Sequence, residues 1–291
     1  MFFLWIVSFI WAFSFGLIKG NLTGLDSNFV SFIRVSISFL IFLPFFRFQN
    51  LNLKISVQFF VIGTIQYGLM YISYIYSFQF LQAYQVALFT ILTPIYVTII
   101  NDLMNKKMNP FYLISAIIAI LGAAVIVFKK SNYENILLGF LIIQVSNISF
   151  AVGQVIYKKL MNKRTELSDK NIFALLYFGA VFITFIFSLF TTDFTSISVT
   201  GKQIYTLLYL GVISSGICFF LWNFGAKKVK IGSLAVMNNL KIPLAVACSL
   251  IFFGEDANII RLFIGGGIIL LALFFKPQKF SRLIRKVKGT S

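Results

Sequence analysis

A lysine, a set of amides and a stripe of aromatic rings lie inside long apolar runs, and these are the residues of this sequence whose types and spacing suit chemistry. Lys241 stands about ten residues into its run, so on a helix rising 1.5 Å per residue it sits roughly 15 Å deep. A lysine stem of about 6 Å does not reach water from there. Inserting such a lysine costs about 2.5–3.5 kcal/mol, and all eight acidic residues fall at the ends of apolar runs or between them. An anionic ligand group is one answer to that unpaired charge; helix-end carbonyls and water beside Pro243 are the other. Asn238 lies three residues earlier on the same face, and Asn239 adds a second amide. Primary amides donate and accept at once, for a ligand or equally as glue between helices.

Further polar groups recur at helical spacing. Gln144, Asn147 and Gln154 form one stripe that predicts an inward face, either a path or a polar seam. The run 55–78 offers Gln66, Tyr67, Met70, Tyr71 and Tyr74, of which Tyr67, Tyr71 and Tyr74 make a stripe of helical period, and Trp11 near the middle of its run and Trp222 in 203–223 have a similar status. Aromatic walls suit an apolar ring ligand, and the same stripe also packs as ordinary core. Arg34 is only seven residues into its run, about 10 Å, which predicts a snorkelling anchor. Trp5, nearer the end of its run, reads as an interfacial anchor. The chain has no histidine, and Cys218 and Cys248 both fall inside apolar runs as packing residues. Neither a metal site, a cofactor nor the acid–base pair of a membrane-embedded enzyme is expected.

The elements that must position these residues are membrane helices. The hydrophobic share is 59% and the charged share 11%, more apolar surface than a soluble domain can hide. Apolar runs at 2–18, 27–46, 55–78, 84–101, 110–128, 136–157, 171–190, 203–223, 231–253 and 258–275 are each long enough to cross a hydrocarbon core of about 30 Å. The fold expected is all-α and integral to the membrane, with ten spans and connections too short for an outside domain. The first run lacks a basic lead and a small-residue cleavage pattern, so it is expected to be retained.

A net charge of +17 would point to nucleic acid in a soluble protein. Here its placement encodes orientation, with the lipid bilayer as partner and no nucleic acid. Of the 25 basic residues, all but Lys19, Lys129, Lys130, Lys202, Arg261 and the intramembrane Arg34 and Lys241 fall on the side shared by both termini. Both termini are therefore expected in the cytoplasm of a bacterial cell, with the protein in the inner membrane. The basic tail 277–291 follows as either a solvated charge run or a helix on anionic lipid.

Two halves echo each other. Pro94 and Pro243 stand 149 residues apart, as do Asn109 and Asn258, and Trp11-Ala12 is echoed by Phe150-Ala151 at 139. The expected division is 1–130, 131–276 and the tail, each half holding five spans. Because five is odd, the second half enters from the opposite face, giving a 5+5 inverted repeat. Gly211, Ser215 and Gly265-Gly266-Gly267 predict close helix approach within one bundle or at a homodimer contact.

At these residues the sequence resembles the EamA branch of the drug/metabolite transporters. The shared features are Trp11-Ala12-Phe13-Ser14, Lys19, Arg34, Pro94, Gly211 through Trp222-Asn223, and Pro243 followed by Phe253-Gly254-Glu255. Asn105-Lys106 and Ile242 depart from the family pattern, which commonly has Gly-Glu and Glu there. Within the branch, Phe42-Leu43-Pro44-Phe45, Met70-Tyr71, Gln144-Val145-Ser146-Asn147 and Met237-Asn238-Asn239 are similar to its biotin carriers. The resemblance implies secondary transport by alternating access, with biotin as the small-molecule substrate. On the residues' own chemistry, Lys241 is then the candidate for the carboxylate and the amides for the cyclic urea. Another metabolite, moved in either direction, is the alternative. With no histidine and no carboxylate deep in a span, a facilitated mechanism is expected.

Overall fold

The computed structural model describes residues 2–48, 51–106, 133–255 and 258–274, together with 114, 117–118, 121–122 and 124–125. Their regular elements are all helices, with no strand among the described residues. The helices are α1 (Phe2–Asn21), α2 (Ser27–Phe45), α3 (Leu53–Ser77), α4 (Ala83–Met104), α5 (Tyr133–Lys163), α6 (Asp169–Thr191), α7 (Gly201–Lys227), α8 (Ile231–Phe252) and α9 (Ile259–Phe274). The first seven are long and apolar enough to cross a membrane, while α8 and α9 carry shorter apolar stretches, Met237–Phe252 and Ile259–Ile268. The expected fifth span and the basic tail lie largely outside the described residues.

Helix starts follow from side chains that take the free amides of a first turn. Asp26 accepts from the Phe29 amide at 2.8 Å and Asn52 from that of Ile55 at 2.9 Å. Thr200 and Gln203 close a reciprocal box at the start of α7. α5 runs to Lys163, beyond the expected end at 157, and Lys158 within it is a structural clasp and not a loop charge. Its ammonium donates to the Ala226, Lys227 and Val229 carbonyls at 2.7, 3.0 and 2.7 Å, tying α5 to the end of α7. Beside it Asp169 accepts from Tyr157 and pairs with Lys227.

The polarity of the molecule is that of a bilayer protein. Phe182, Phe190 and Phe263 stand exposed on the outside, whereas Arg34, Gln66, Asn147, Gln154 and Asn223 are buried. α1 packs on α8 and α7, α2 on α6 and α7, α3 on α6 and α5, and α4 on α5 and α8. Close approach is set by glycine where backbones touch. A Cβ on Gly211 would lie 2.8 Å from Ile37, and the Gly211 carbonyl accepts from Ser38 at 2.9 Å. Gly266 and Gly267 differ from expectation: a Cβ on either would meet nothing within 4 Å among the described residues.

α3 and α7 each contain a π-helical segment, Thr64–Leu69 and Leu210–Ile217. A π turn inserts one residue and shifts the side chains that follow it around the helix, a feature frequent at functional sites. Glu255 reaches back from the turn after α8 and takes the Ala83 and Tyr84 amides at 2.7 and 2.9 Å. Gly254, at φ 62°, turns the chain so that it can. Glu255→Ala strands both amides and removes a carboxylate from a helix N-terminus, so a loss of about 1–2 kcal/mol is expected. The readout is a lower unfolding midpoint in detergent, with Glu255→Gln falling between; an unchanged midpoint for the alanine variant contradicts the cap.

Candidate functional site

A small cavity of about 60 Å³ lies between α1, α2, α3, α4, α5, α7 and α8. Trp11, Tyr71, Asn147 and Lys241 of the sequence-derived candidates line it. Lys241 is 7% exposed, and its ammonium sits over the Trp11 and Phe150 rings at 4.9 and 5.8 Å from their centroids. Ring faces attract a cation but do not neutralise it. Neither Lys241 nor Arg34 forms an ion pair with a described residue, and no carboxylate is among the described residues that line the cavity.

Trp11 is fixed by donating its indole N–H to the Ser214 carbonyl at 2.9 Å, and by Phe219 and Trp222 at centroid distances of 4.8 and 5.0 Å. Asn147 is held by the consequence of Pro94. A proline has no amide, and a 3-10 turn precedes it, in which the Thr93 amide bonds Thr90 and leaves the Phe89 carbonyl. Asn147 Nδ2 donates to that carbonyl at 2.9 Å and to Gln144 Oε1 at 2.9 Å, while Thr93 donates to Asn147 Oδ1 at 3.2 Å. Tyr71 donates to or accepts from Ser215 at 2.7 Å.

The other candidates stand outside the lining. Gln144 supports Asn147 from behind and accepts from Tyr96 at 3.2 Å. Gln66 is fully buried in an amide pair with Asn223, 2.9 and 3.3 Å, joined by Tyr67 to Asn223 at 2.8 Å. That pair is interhelical glue between the π segment of α3 and α7. Asn238 donates to Leu234 at 3.0 Å, leaving its oxygen without a partner, and neither Asn239 group has one. Neither amide lines the cavity: Asn238, three residues before Lys241, is turned about 60° from it round the helix, and Asn239, two residues before it, about 160°.

Arg34 is the residue that the sequence reading misplaced. It does not snorkel: it is 1% exposed and lines the cavity. Ser14, Ser31, Ser38 and Ser215 make α1, α2 and α7 polar on this side, and the recurrence Ser27, Ser31, Arg34, Ser38 at spacings of three and four is the signal that placed the guanidinium inward.

The comparisons with known proteins agree on the class. The model of the EamA-like transporter family matches residues 1–128 and again 137–276. The biotin transporter of Salmonella typhimurium is 36% identical over 271 residues, covering 92% of this chain and 90% of that one. A probable biotin transporter of Pseudomonas aeruginosa is 36% identical, covering 94% and 96%, and the biotin transporter of Escherichia coli K12 is 35% identical, covering 94% and 92%. A solved crystal structure shares the fold at a TM-score of 0.68 and 14% identity, covering 95% of this chain and 96% of that one. With two family matches spanning nearly the whole sequence and relatives above 30% identity, the chain belongs to the EamA-like transporter family.

Proposed function

We propose that this chain carries biotin into the cell by alternating access, with the substrate carboxylate on the Lys241 ammonium. The observation that carries the reading is that ammonium, buried over ring faces in a cavity that offers it no carboxylate. The transporters named for biotin at 35–36% identity over most of their length support the cargo. The aromatic walls, Trp11, Phe150, Phe219 and Tyr74, suit a fused apolar ring with a short chain. Asn147 and Lys241 lie within one cavity, Gln66 and Gln144 stand behind it in interhelical hydrogen bonds, and Asn238 and Asn239 lie outside its lining.

The architecture of the proposal is ten spans in a 5+5 inverted repeat, with domains 1–130 and 131–276 and both termini cytoplasmic. The two family matches divide the chain near the same point. The π segments start 146 residues apart, close to the spacing of Pro94 and Pro243. Packing also exchanges partners under the swap of halves: α1 on α8 answers α5 on α4, and α2 on α7 answers α6 on α3. Transport is facilitated, since the cavity lining has neither imidazole nor carboxylate to hold a coupling proton.

The test is uptake of radiolabelled biotin at nanomolar concentration into biotin-auxotrophic cells expressing this chain in the inner membrane. Saturable uptake above the empty vector is expected; none, with the protein present in the membrane, removes biotin and leaves another small metabolite as cargo. Orientation has its own prediction. A membrane-impermeant maleimide should label Ser196→Cys on intact cells and Glu166→Cys only after permeabilisation, because Cys218 and Cys248 are buried. The reverse pattern inverts the topology.

A further inference from the structure

The cavity holds a second cation at its other polar end, and that cation has a free hydrogen-bonding edge. Arg34 Nε donates to Ser215 Oγ at 3.2 Å, and one terminal nitrogen donates to the Tyr71 hydroxyl at 3.0 Å. The Tyr71 hydroxyl and Ser215 Oγ bond each other at 2.7 Å, closing a triangle, and the Tyr71 ring lies 4.6 Å from the guanidinium carbon. The remaining terminal nitrogen, Nη1, is buried without a partner. A guanidinium has five donors in a fixed plane, and protein interiors rarely leave one edge of it unused.

The two cations are built differently. Arg34 is clamped in one plane by Ser215 in the π segment of α7 and by Tyr71 just beyond that of α3. Lys241 is held only by ring faces on a flexible four-carbon stem. Phe219 bridges them, with centroid distances of 4.8 Å to Trp11 and 5.8 Å to Tyr71. A rigid fork suits a rigid planar acceptor, and a mobile ammonium suits a carboxylate on a mobile chain.

Resting on the biotin reading, we infer that Arg34 is a second substrate-contacting residue, whose free edge donates to the carbonyl of the substrate's cyclic urea while Lys241 takes the carboxylate. The site is then a two-ended reader: it selects molecules with an acceptor carbonyl on a flat head and an anion on a tail, separated by an apolar body.

Competition against radiolabelled biotin uptake separates the two ends. The probes are unlabelled biotin, 2-iminobiotin, whose urea carbonyl is replaced by a protonated cyclic guanidine, and biotin amide, which lacks the carboxylate. In the unaltered protein, 2-iminobiotin should compete at least about tenfold worse than biotin, since it sets a cation against Arg34 and offers no acceptor. Equal competition by the two overturns the proposal without any variant. Arg34→Gln should raise the concentration of biotin needed by about tenfold or more and shrink the iminobiotin penalty, leaving the amide penalty unchanged. Lys241→Gln should do the opposite. An Arg34→Gln variant that alters uptake with both penalties intact makes Arg34 a strut of the Tyr71–Ser215 triangle and overturns the inference, while biotin uptake by the unaltered protein stands or falls separately. If the unaltered protein takes up no biotin, both readings fall together.

Discussion

Lys241→Ala is expected to reduce biotin uptake at nanomolar concentration by about a hundredfold while leaving the protein at least as stable as before. The first half follows from the pairing. A charge-assisted hydrogen bond to a carboxylate in a water-poor cavity is worth about 2–4 kcal/mol when one partner is deleted, because the other charge is left buried alone. The second half follows from the empty protein. Without substrate, Lys241 is 7% exposed and its ammonium faces rings in place of a carboxylate, so its burial is a cost that alanine removes. A residue that served packing alone would show the reverse, with lowered stability and uptake falling in proportion to the amount of folded protein. The measurements are initial uptake rates normalised to membrane-embedded protein, and the unfolding midpoint in detergent. Uptake within threefold of the unaltered protein would take the carboxylate away from Lys241.

The fold was largely legible because a bilayer imposes a length on each apolar run, and nine described helices fall where nine of the ten runs were drawn. The site was legible only in part, for reasons that differ by residue. The burial of Lys241, without an ion pair among the described residues, was legible from depth. Arg34 was misread because depth along a helix was used alone; the direction of its side chain is set by the serine stripe of α2 packing on α7, a tertiary fact. Asn147 lines the cavity, whereas Gln66 stands outside it for a different reason. Gln66 has the chemistry of a ligand contact, but its partner Asn223 lies 157 residues away, and no local spacing announces that the two satisfy each other. The π segments that orient Tyr71 and Ser215 were not foreseen either, because an inserted residue leaves the hydrophobic pattern of a buried helix unchanged.

Gly63→Val should be the most damaging single substitution to the fold, at roughly 3 kcal/mol or more. α3 and α6 meet backbone to backbone: a Cβ on Gly63 would lie 1.8 Å from the Leu176 carbonyl oxygen and 2.5 Å from its Cα. Gly179 returns the contact, its would-be Cβ lying 2.1 Å from the Phe60 oxygen. Main-chain atoms cannot rotate aside as a side chain can, so the helices must separate, and the 3.1 Å bond from Thr64 to the Gly179 carbonyl is lost with them. The consequence reaches the cavity, because α3 also carries Tyr71 and α6 carries Tyr177, whose hydroxyl donates to the Ser215 carbonyl at 2.5 Å. Displacing either helix loosens the triangle that holds Arg34. The variant should therefore show both a lower unfolding midpoint and little folded protein in the membrane, whereas Gly267→Ala, in open space, should match the unaltered chain. A normal midpoint for Gly63→Val would mean that α3 and α6 are not in backbone contact, and with that contact would go the support of Tyr71 and the geometry on which the two-ended site depends.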